Sequence, residues 1–176
     1  MKKSQVEHVL RAASRICDDN EFVIIGSQSL HGKYPDMADD MMMSFEVDLI
    51  AKNRPGDTDF LNTIGMDSRF HEEFGYYADP VDEKTAVLPR KWKERLVHLK
   101  LDGADTGLKA YCLEPHDLVV AKLAAGRDKD KIFIRELLRH NLVKLDVISK
   151  RLAQTPVPPS QRASMTALLK MIEAMQ

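Results

Sequence analysis

The sequence predicts an α+β fold whose C-terminal segment is helical. Runs rich in β-branched and aromatic residues, separated by turn residues, extend to residue 113 after a first helix. Residues 114–176 instead show helical periodicity, and the proline-rich stretch 155–159 separates the last helix from the rest. A chain of 176 residues is long enough for a real core. We therefore predict an α/β core over residues 1–126 and a helical segment over residues 127–176 that packs on it.

The first predicted elements are a helix and two strands. Apolar residues recur at helical spacing in residues 4–17 and predict an amphipathic helix: Val6, Val9, Leu10, Ala13, Ile16 and Cys17. Residues 22–25 predict a strand that ends at Gly26, and we expect Ser27 to cap a short helix over residues 28–32. Residues 44–51 predict a second strand whose inward residues are Phe45, Val47 and Leu49.

The remaining elements follow from periodicity and turn residues. Residues 58–74 predict one or two short helices, and residues 75–89 are irregular, with a strand over 85–88 as an alternative. Residues 93–101 and 108–113 predict a hairpin of the same sheet, joined by a turn over 102–107. We expect helices from Glu114 to Gly126, from Asp128, over 141–152, and from Ser160. Their expected inward residues are Ile132, Ile134, Leu137 and Leu138, and then Leu168, Leu169, Ile172 and Met175.

Composition narrows the class of protein. The net charge is −1, so no overall field draws the chain towards nucleic acid or a membrane, although a local basic patch is compatible with it. The two cysteines, Cys17 and Cys112, lack CxxC spacing, and neither a signal peptide nor a membrane-spanning apolar run is present. These features favour a reduced, cytoplasmic protein without a membrane partner.

Two acids on the second strand indicate a site for a divalent cation. Side chains two positions apart on a strand share a face, so Glu46 and Asp48 point the same way, opposite to Val47. Such a pair repels itself by up to about 4 kcal/mol at about 4 Å and an effective dielectric near 20, and Mg²⁺ or Mn²⁺ would relieve that repulsion. Backbone amides after Gly26 would hold phosphates. The alternative is that both acids form the solvated face of an edge strand.

Gly26-Ser27 followed by the acid-x-acid strand Glu46-Val47-Asp48 resembles the nucleotidyltransferase superfamily of the polymerase-beta type. The successive segments IIGSQSLHG, SFEVDLI, GYYADPV, TAVLP, RLVHLKL and LEPHDLVVAKLAAGRDKD are similar to a family of small, uncharacterised bacterial nucleotidyltransferases related to those of abortive-infection and toxin–antitoxin systems. The similarity covers about the first four-fifths of the chain. Its most specific part is the segment from Lys122 to Asp130.

This resemblance implies a mixed sheet flanked by helices that binds a nucleoside triphosphate and magnesium at one edge. It also implies transfer of a nucleotidyl group to an RNA or protein acceptor. The matching positions imply these roles: Gly26 and Ser27 hold phosphate, Glu46 and Asp48 bind the metal, Lys122 and Arg127 contact phosphate, and Asp130 orients Lys122 or the acceptor.

A second hypothesis is a binding module that keeps this fold without turnover, such as the partner of a cognate toxin or antitoxin. Glu46 stands where the superfamily usually has Asp, and the interval from Ser27 to Glu46 is longer than usual. No third carboxylate is evident either, the candidates being Asp79 and Asp102. Lys122 and its neighbour in the motif, Arg127, also fit a simpler role as cations at the C-terminal end of a helix dipole.

Trp92 lies within a basic segment of the chain. It is flanked by Arg90, Lys91, Lys93 and Arg95. Such a patch is suited to a nucleic-acid acceptor, because bases stack on aromatic rings and cations pair with phosphates. A solvated charged surface is the alternative.

Overall fold

The structure is a computed structural model that describes residues 1–37, 41, 44–103 and 107–175. Its strands are β1 (Glu21–Ile24), β2 (Glu46–Ala51), β3 (Tyr77–Pro80), β4 (Val97–Leu99) and β5 (Lys109–Cys112). Its α-helices are α1 (Lys3–Cys17), α2 (Arg69–Phe74), α3 (Pro115–Ala125), α4 (Asp128–Arg139), α5 (Leu145–Ala153) and α6 (Pro159–Ala174). Short 3-10 helices cover Ser27–Gly32, Pro55–Ile64 and Trp92–Arg95.

The five strands form one mixed sheet in the order β3-β2-β1-β5-β4. β1 pairs antiparallel with β2 and parallel with β5, while β2 pairs parallel with β3. The antiparallel pair of β4 and β5 confirms the predicted hairpin. Part of its predicted turn, residues 104–106, lies outside the described residues. The α+β class with a mixed sheet is confirmed.

One face of the sheet packs against α1. Because strand residues alternate between faces, Phe22 and Ile24 of β1 share the core with Val47 and Leu49 of β2, and all four are fully buried. The prediction that Phe45 also points into the core is wrong, since its side chain is 62% exposed. The strand begins only at Glu46, so Phe45 lies beyond the part of the sheet that the core covers.

The segment between β2 and β4 differs most from the prediction. Residues 58–74 hold two short helical pieces, the 3-10 helix Pro55–Ile64 and α2, as one of the predicted alternatives had it. The prediction of an irregular segment over 75–89 missed β3, and residues 85–88 are not a strand. β3 is only four residues long and ends in a proline, so its alternation is too short to stand out.

For the later helices, the predicted ends agree with the structure better than the predicted buried residues do. Pro115 begins α3, and Gly126 ends it in a left-handed conformation with φ 66°. In α4, Ile134 and Leu137 are fully buried, but Ile132 is 54% exposed because it lies about 200° round the helix from Ile134. Met175 of the last helix, also predicted to point inward, is 60% exposed.

The chain forms two compact units. The first comprises Met1–Thr85 and Leu96–Leu113, and the second comprises Ala86–Arg95 and Glu114–Gln176. The first unit therefore holds the whole sheet with α1 and α2, and the second holds α3 to α6. These units do not test whether residues 1–126 fold by themselves, so that domain boundary stays a prediction.

In the part of the chain that the structure describes, every helix is too short or too polar to cross a membrane.

Candidate functional site

Glu46 and Asp48 lie on the face of β2 opposite to the core. Burial alternates along the strand, with both acids half-buried and with Val47 and Leu49 fully buried between and beyond them. The alternation arises because successive strand side chains point to opposite faces. The two carboxylates therefore project side by side from one face of the sheet.

Gly26 lies directly against the carboxylate of Asp48. The antiparallel pairing of β1 with β2 places the end of β1 beside Asp48, whose carbonyl accepts a hydrogen bond from the Ile25 amide at 3.2 Å. A Cβ at Gly26 would lie 1.6 Å from Asp48 Oδ2, so any side chain there would displace the carboxylate. Glycine after β1 therefore lets the acid lie against the backbone of the turn.

Asp79 of β3 lies beside Asp48 on the neighbouring strand. In the parallel pairing of β2 with β3, Asp48 is the partner of Asp79, and Glu46 is the partner of Tyr77. Paired strands lie about 4.8 Å apart, so the three acids occupy neighbouring positions on one face. The other candidate for a third carboxylate, Asp102, instead forms an ion pair with Lys3 of α1 at 2.8 Å.

From the sequence, Asp79 was only one of two candidates for a third carboxylate. The signal that could have found it is the alternation in residues 76–79: Tyr76 and Ala78 are in the hydrophobic core, while Asp79 points away from it.

The electrostatics of this face disfavour its negative charges. Burial, and then the nearby carboxylate of Glu46, raise the pKa of Asp79 above its usual value. Burial likewise raises the pKa of the Tyr77 phenol, with further contributions from Glu46, Asp79 and Asp48. Burial is the larger cause in both groups, and Glu46 adds to both shifts, a contribution that a bound cation would offset.

The expected role of Ser27 as a helix cap is wrong. Gly26 is the N-terminal cap of the 3-10 helix Ser27–Gly32, and no side chain caps that helix. The turn is closed instead by the Ser29 amide, which donates to the Gly26 carbonyl at 2.9 Å. Contact of Ser27 and Gly26 with phosphate stays a prediction.

The other three predicted site residues meet one another in the second unit. Asp130, which is 1% exposed, accepts from Lys122 Nζ at 3.0 Å and from Arg127 Nε at 2.7 Å. Lys122 Nζ also lies 4.7 Å from the centre of the Phe133 ring. Burial by itself raises the pKa of Asp130, but the two cations outweigh it, so the pKa lies below its usual value. The contact fits the predicted role of Asp130 in orienting Lys122.

The donor set on the sheet face matches what magnesium takes from a protein. Among residues 1–37, 41, 44–103 and 107–175, no group of three or more His, Cys, Asp or Glu side chains could hold a metal ion. Mg²⁺, however, is usually bound through one or two carboxylates, with waters and substrate phosphates as the other ligands. Glu46 and Asp48, which project from one face of the sheet, fit that mode of binding.

The chain was compared with known proteins. A family model described as a nucleotidyltransferase of unknown function (DUF6036) matches residues 4–172. No curated protein and no solved structure gave a significant match.

Proposed function

The chain belongs to this family of nucleotidyltransferases of unknown function, and from that premise we propose that it transfers a nucleotidyl group from a nucleoside triphosphate to an acceptor hydroxyl with the help of Mg²⁺ or Mn²⁺. The observation that carries the proposal is the contact of Gly26 with Asp48, beside Asp79 on the next strand. This contact places the backbone of the turn and the Asp48 carboxylate next to each other, where one ligand can reach both.

In this proposal the residues of the sheet face have distinct tasks. Glu46 and Asp48 hold the cation, which supplies charge neutralisation for the triphosphate when it is bound. Backbone atoms at Gly26 and Ser27 approach the phosphates. Asp79 accepts the proton of the attacking hydroxyl, whose oxygen bonds to the α-phosphorus while the bond to the leaving pyrophosphate breaks. A raised pKa is an advantage for this role, because a general base works best with a pKa near the working pH.

In the second unit, we expect Asp130 to keep the ammonium of Lys122 in a fixed position, because the two groups are in contact at 3.0 Å. Contact of Lys122 and Arg127 with phosphate stays a prediction.

The test is nucleotidyl transfer with α-labelled triphosphates, magnesium, cellular RNA and cellular protein. We expect label on one class of acceptor with the native chain, and a loss of at least about 100-fold with Asp48→Asn. Asp59→Asn, which changes an exposed acid of the 3-10 helix Pro55–Ile64, is the matched control and should act like the native chain. Absence of both label transfer and triphosphate binding in the native chain would overturn the proposal.

A second candidate is a binding module that takes up a triphosphate without turnover, as the partner of a cognate toxin or antitoxin. Two observations favour it: the absence of a three-acid metal group in the described part of the chain, and the engagement of Lys122 and Arg127 by one buried acid. Calorimetric binding of a triphosphate without any label transfer would decide for this candidate and against the enzyme.

A further inference from the structure

Positive charge is concentrated in one part of the second unit. Residues 86–95, α5 and α6 together carry eight Lys and Arg side chains and three acids, Glu94, Asp146 and Glu173, which gives a net charge of +5. The chain as a whole has a net charge of −1. Segregation of this size creates a local field that the overall balance conceals.

Hydrogen bonds hold these segments together at the end of α5. The Arg90 amide donates to the Gln154 carbonyl at 3.2 Å. One residue further on, Arg162 of α6 donates to the Thr155 carbonyl at 2.9 Å, and also to the carbonyl of Leu152 at 3.1 Å. These carbonyls lie at and just beyond the C-terminal end of α5, where the helix dipole is negative, so Arg162 caps that helix and its charge is partly compensated.

A buried acid anchors the segment that contains Trp92. Asp117 is fully buried and forms ion pairs with Arg95 at 2.8 Å and with Arg151 at 3.2 Å. Arg95 also donates to the Arg90 carbonyl at 3.0 Å, which joins both ends of the basic segment. These two arginines are therefore structural.

The exposed cations surround the chain's only tryptophan. Arg90, Lys91 and Lys93 are exposed, and Trp92 is half-buried, with Lys93 Nζ 5.6 Å from the centre of its ring. Glu94 forms a long and exposed ion pair with Lys91 at 3.6 Å. Lys91 has φ 63°, a backbone conformation that is uncommon for a residue with a side chain. The conformation of this turn is thus set by its neighbours in the fold.

We call Arg90, Lys91, Trp92 and Lys93 the basic surface.

We infer that the basic surface binds single-stranded nucleic acid, with the cations on the phosphates and a base stacked on Trp92. A cationic track with an aromatic platform is the combination by which proteins hold single strands without reading their sequence. The biological role of this binding rests on the proposed function, since the bound strand would be the acceptor of the nucleotidyl group. Binding itself requires neither the triphosphate nor the acids of the sheet.

The first test measures the affinity of a labelled single-stranded oligonucleotide by fluorescence anisotropy, in RNA and DNA forms, between about 50 and 200 mM salt. The triple variant Arg90→Gln, Lys91→Gln and Lys93→Gln should bind at least about tenfold more weakly at low salt, and its log–log salt slope should be lower by about 2. The control variant Lys84→Gln, Lys100→Gln and Lys144→Gln removes three equally exposed charges and should bind like the native chain. Equal loss in both variants, or no binding by the native chain, would overturn the inference.

The second test uses the intrinsic fluorescence of Trp92, which reports on this position alone because the chain has no other tryptophan. A single strand should quench it, whereas heparin, a polyanion without bases, should not. Trp92→Leu should weaken binding of the single strand several-fold and leave heparin binding unchanged. Unchanged fluorescence, or equal effects on both ligands, would show a generic polyanion surface and would refute the stacking.

The two proposals fail separately. Asp48→Asn should abolish transfer and leave binding of the oligonucleotide intact. If label goes to a protein while no strand binds, the inference falls and the proposed enzyme stands. If strands bind through Trp92 but no nucleotide is ever transferred, the inference stands and the enzyme falls.

Discussion

Buried or half-buried acids lie at both ends of the β1–β2 pair, and their surroundings differ. At one end Asp19, which is 3% exposed, accepts four hydrogen bonds from Glu21, Asn53 and Arg54, three of them from backbone amides at 2.8 to 3.0 Å. At the other end Asp48 lies against Gly26, with Asp79 beside it.

The pKa shifts show what this difference means. Burial by itself raises the pKa of Asp19, but its hydrogen bonds outweigh burial and the pKa lies below its usual value. Asp79 has burial and the charge of Glu46 acting in the same direction, and its pKa is raised. An acid that hydrogen bonds satisfy stabilises the fold, whereas an acid whose pKa is raised by burial and by a neighbouring acid marks a candidate site.

The largest expected effect is that of Gly26→Ala. The backbone at Gly26 has φ −88°, which alanine accepts, so the added Cβ acts only by displacing the carboxylate of Asp48. We expect triphosphate binding and transfer to fall about 100-fold, as for other misplacements of a reacting group by about 1 Å. Gly56→Ala is the control, since nothing lies within 4 Å of a Cβ there. Equal activity of the two variants would contradict the account of the turn.

Asp19→Ala tests the other end of the pair through stability. It leaves the three backbone amides without an acceptor, and we expect the free energy of unfolding to fall by about 2–4 kcal/mol. Urea unfolding measures this, and Asp18→Ala, which changes a side chain that is 92% exposed, is the control. Triphosphate binding per folded molecule should not change. If Asp19→Ala removes binding from chains that remain folded, the two ends are not functionally distinct.

Acid pH should act on the satisfied carboxylates first. Because the folded pKa of Asp19 is depressed, its contribution to stability is complete above the pKa of the unfolded chain, near about 4, and is lost as the pH falls through the lower folded value. The difference in unfolding free energy between the native chain and Asp19→Asn should therefore shrink below about pH 4. A difference that persists unchanged down to about pH 2 would show that ionisation of Asp19 is irrelevant.

The smallest expected effect has the opposite sign. The folded pKa of Asp79 is raised, so its ionised form costs stability once the pH exceeds its unfolded pKa. Asp79→Asn should raise Tm by about 1–3 °C near neutral pH and change it little below about pH 4, when the acid is protonated in both states. The same variant should lose transfer activity. A lower Tm at neutral pH would mean that Asp79 is a structural acid like Asp19.

The sequence predicted what depends on local pattern. Glu46 and Asp48 share a face because side chains on a strand alternate with a period of two. Helix α3 ends at Gly126 because glycine is favoured in a left-handed C-terminal cap. The predictions that Phe45 and Ile132 are buried were wrong, because apolar character shows which environment a side chain prefers and not whether another element covers it.

The features that could not be predicted from the sequence depend on pairing between distant residues. Asp79 becomes a neighbour of Asp48 only through the register of β3 against β2, which no local pattern encodes. The same holds for Asp117, which joins Arg95 and Arg151 from opposite sides in sequence. A glycine at the end of a strand indicates a close approach, so the sequence could predict a contact at Gly26. It could not predict that the contacting residue is Asp48.

The most direct test of the central claim is a crystal structure with Mn²⁺ and a non-hydrolysable triphosphate, in which anomalous scattering locates the metal. We predict a manganese peak about 2–2.5 Å from carboxylate oxygens of both Glu46 and Asp48, with the phosphates beside Gly26. A triphosphate bound elsewhere, or a metal that touches neither acid, would contradict the account.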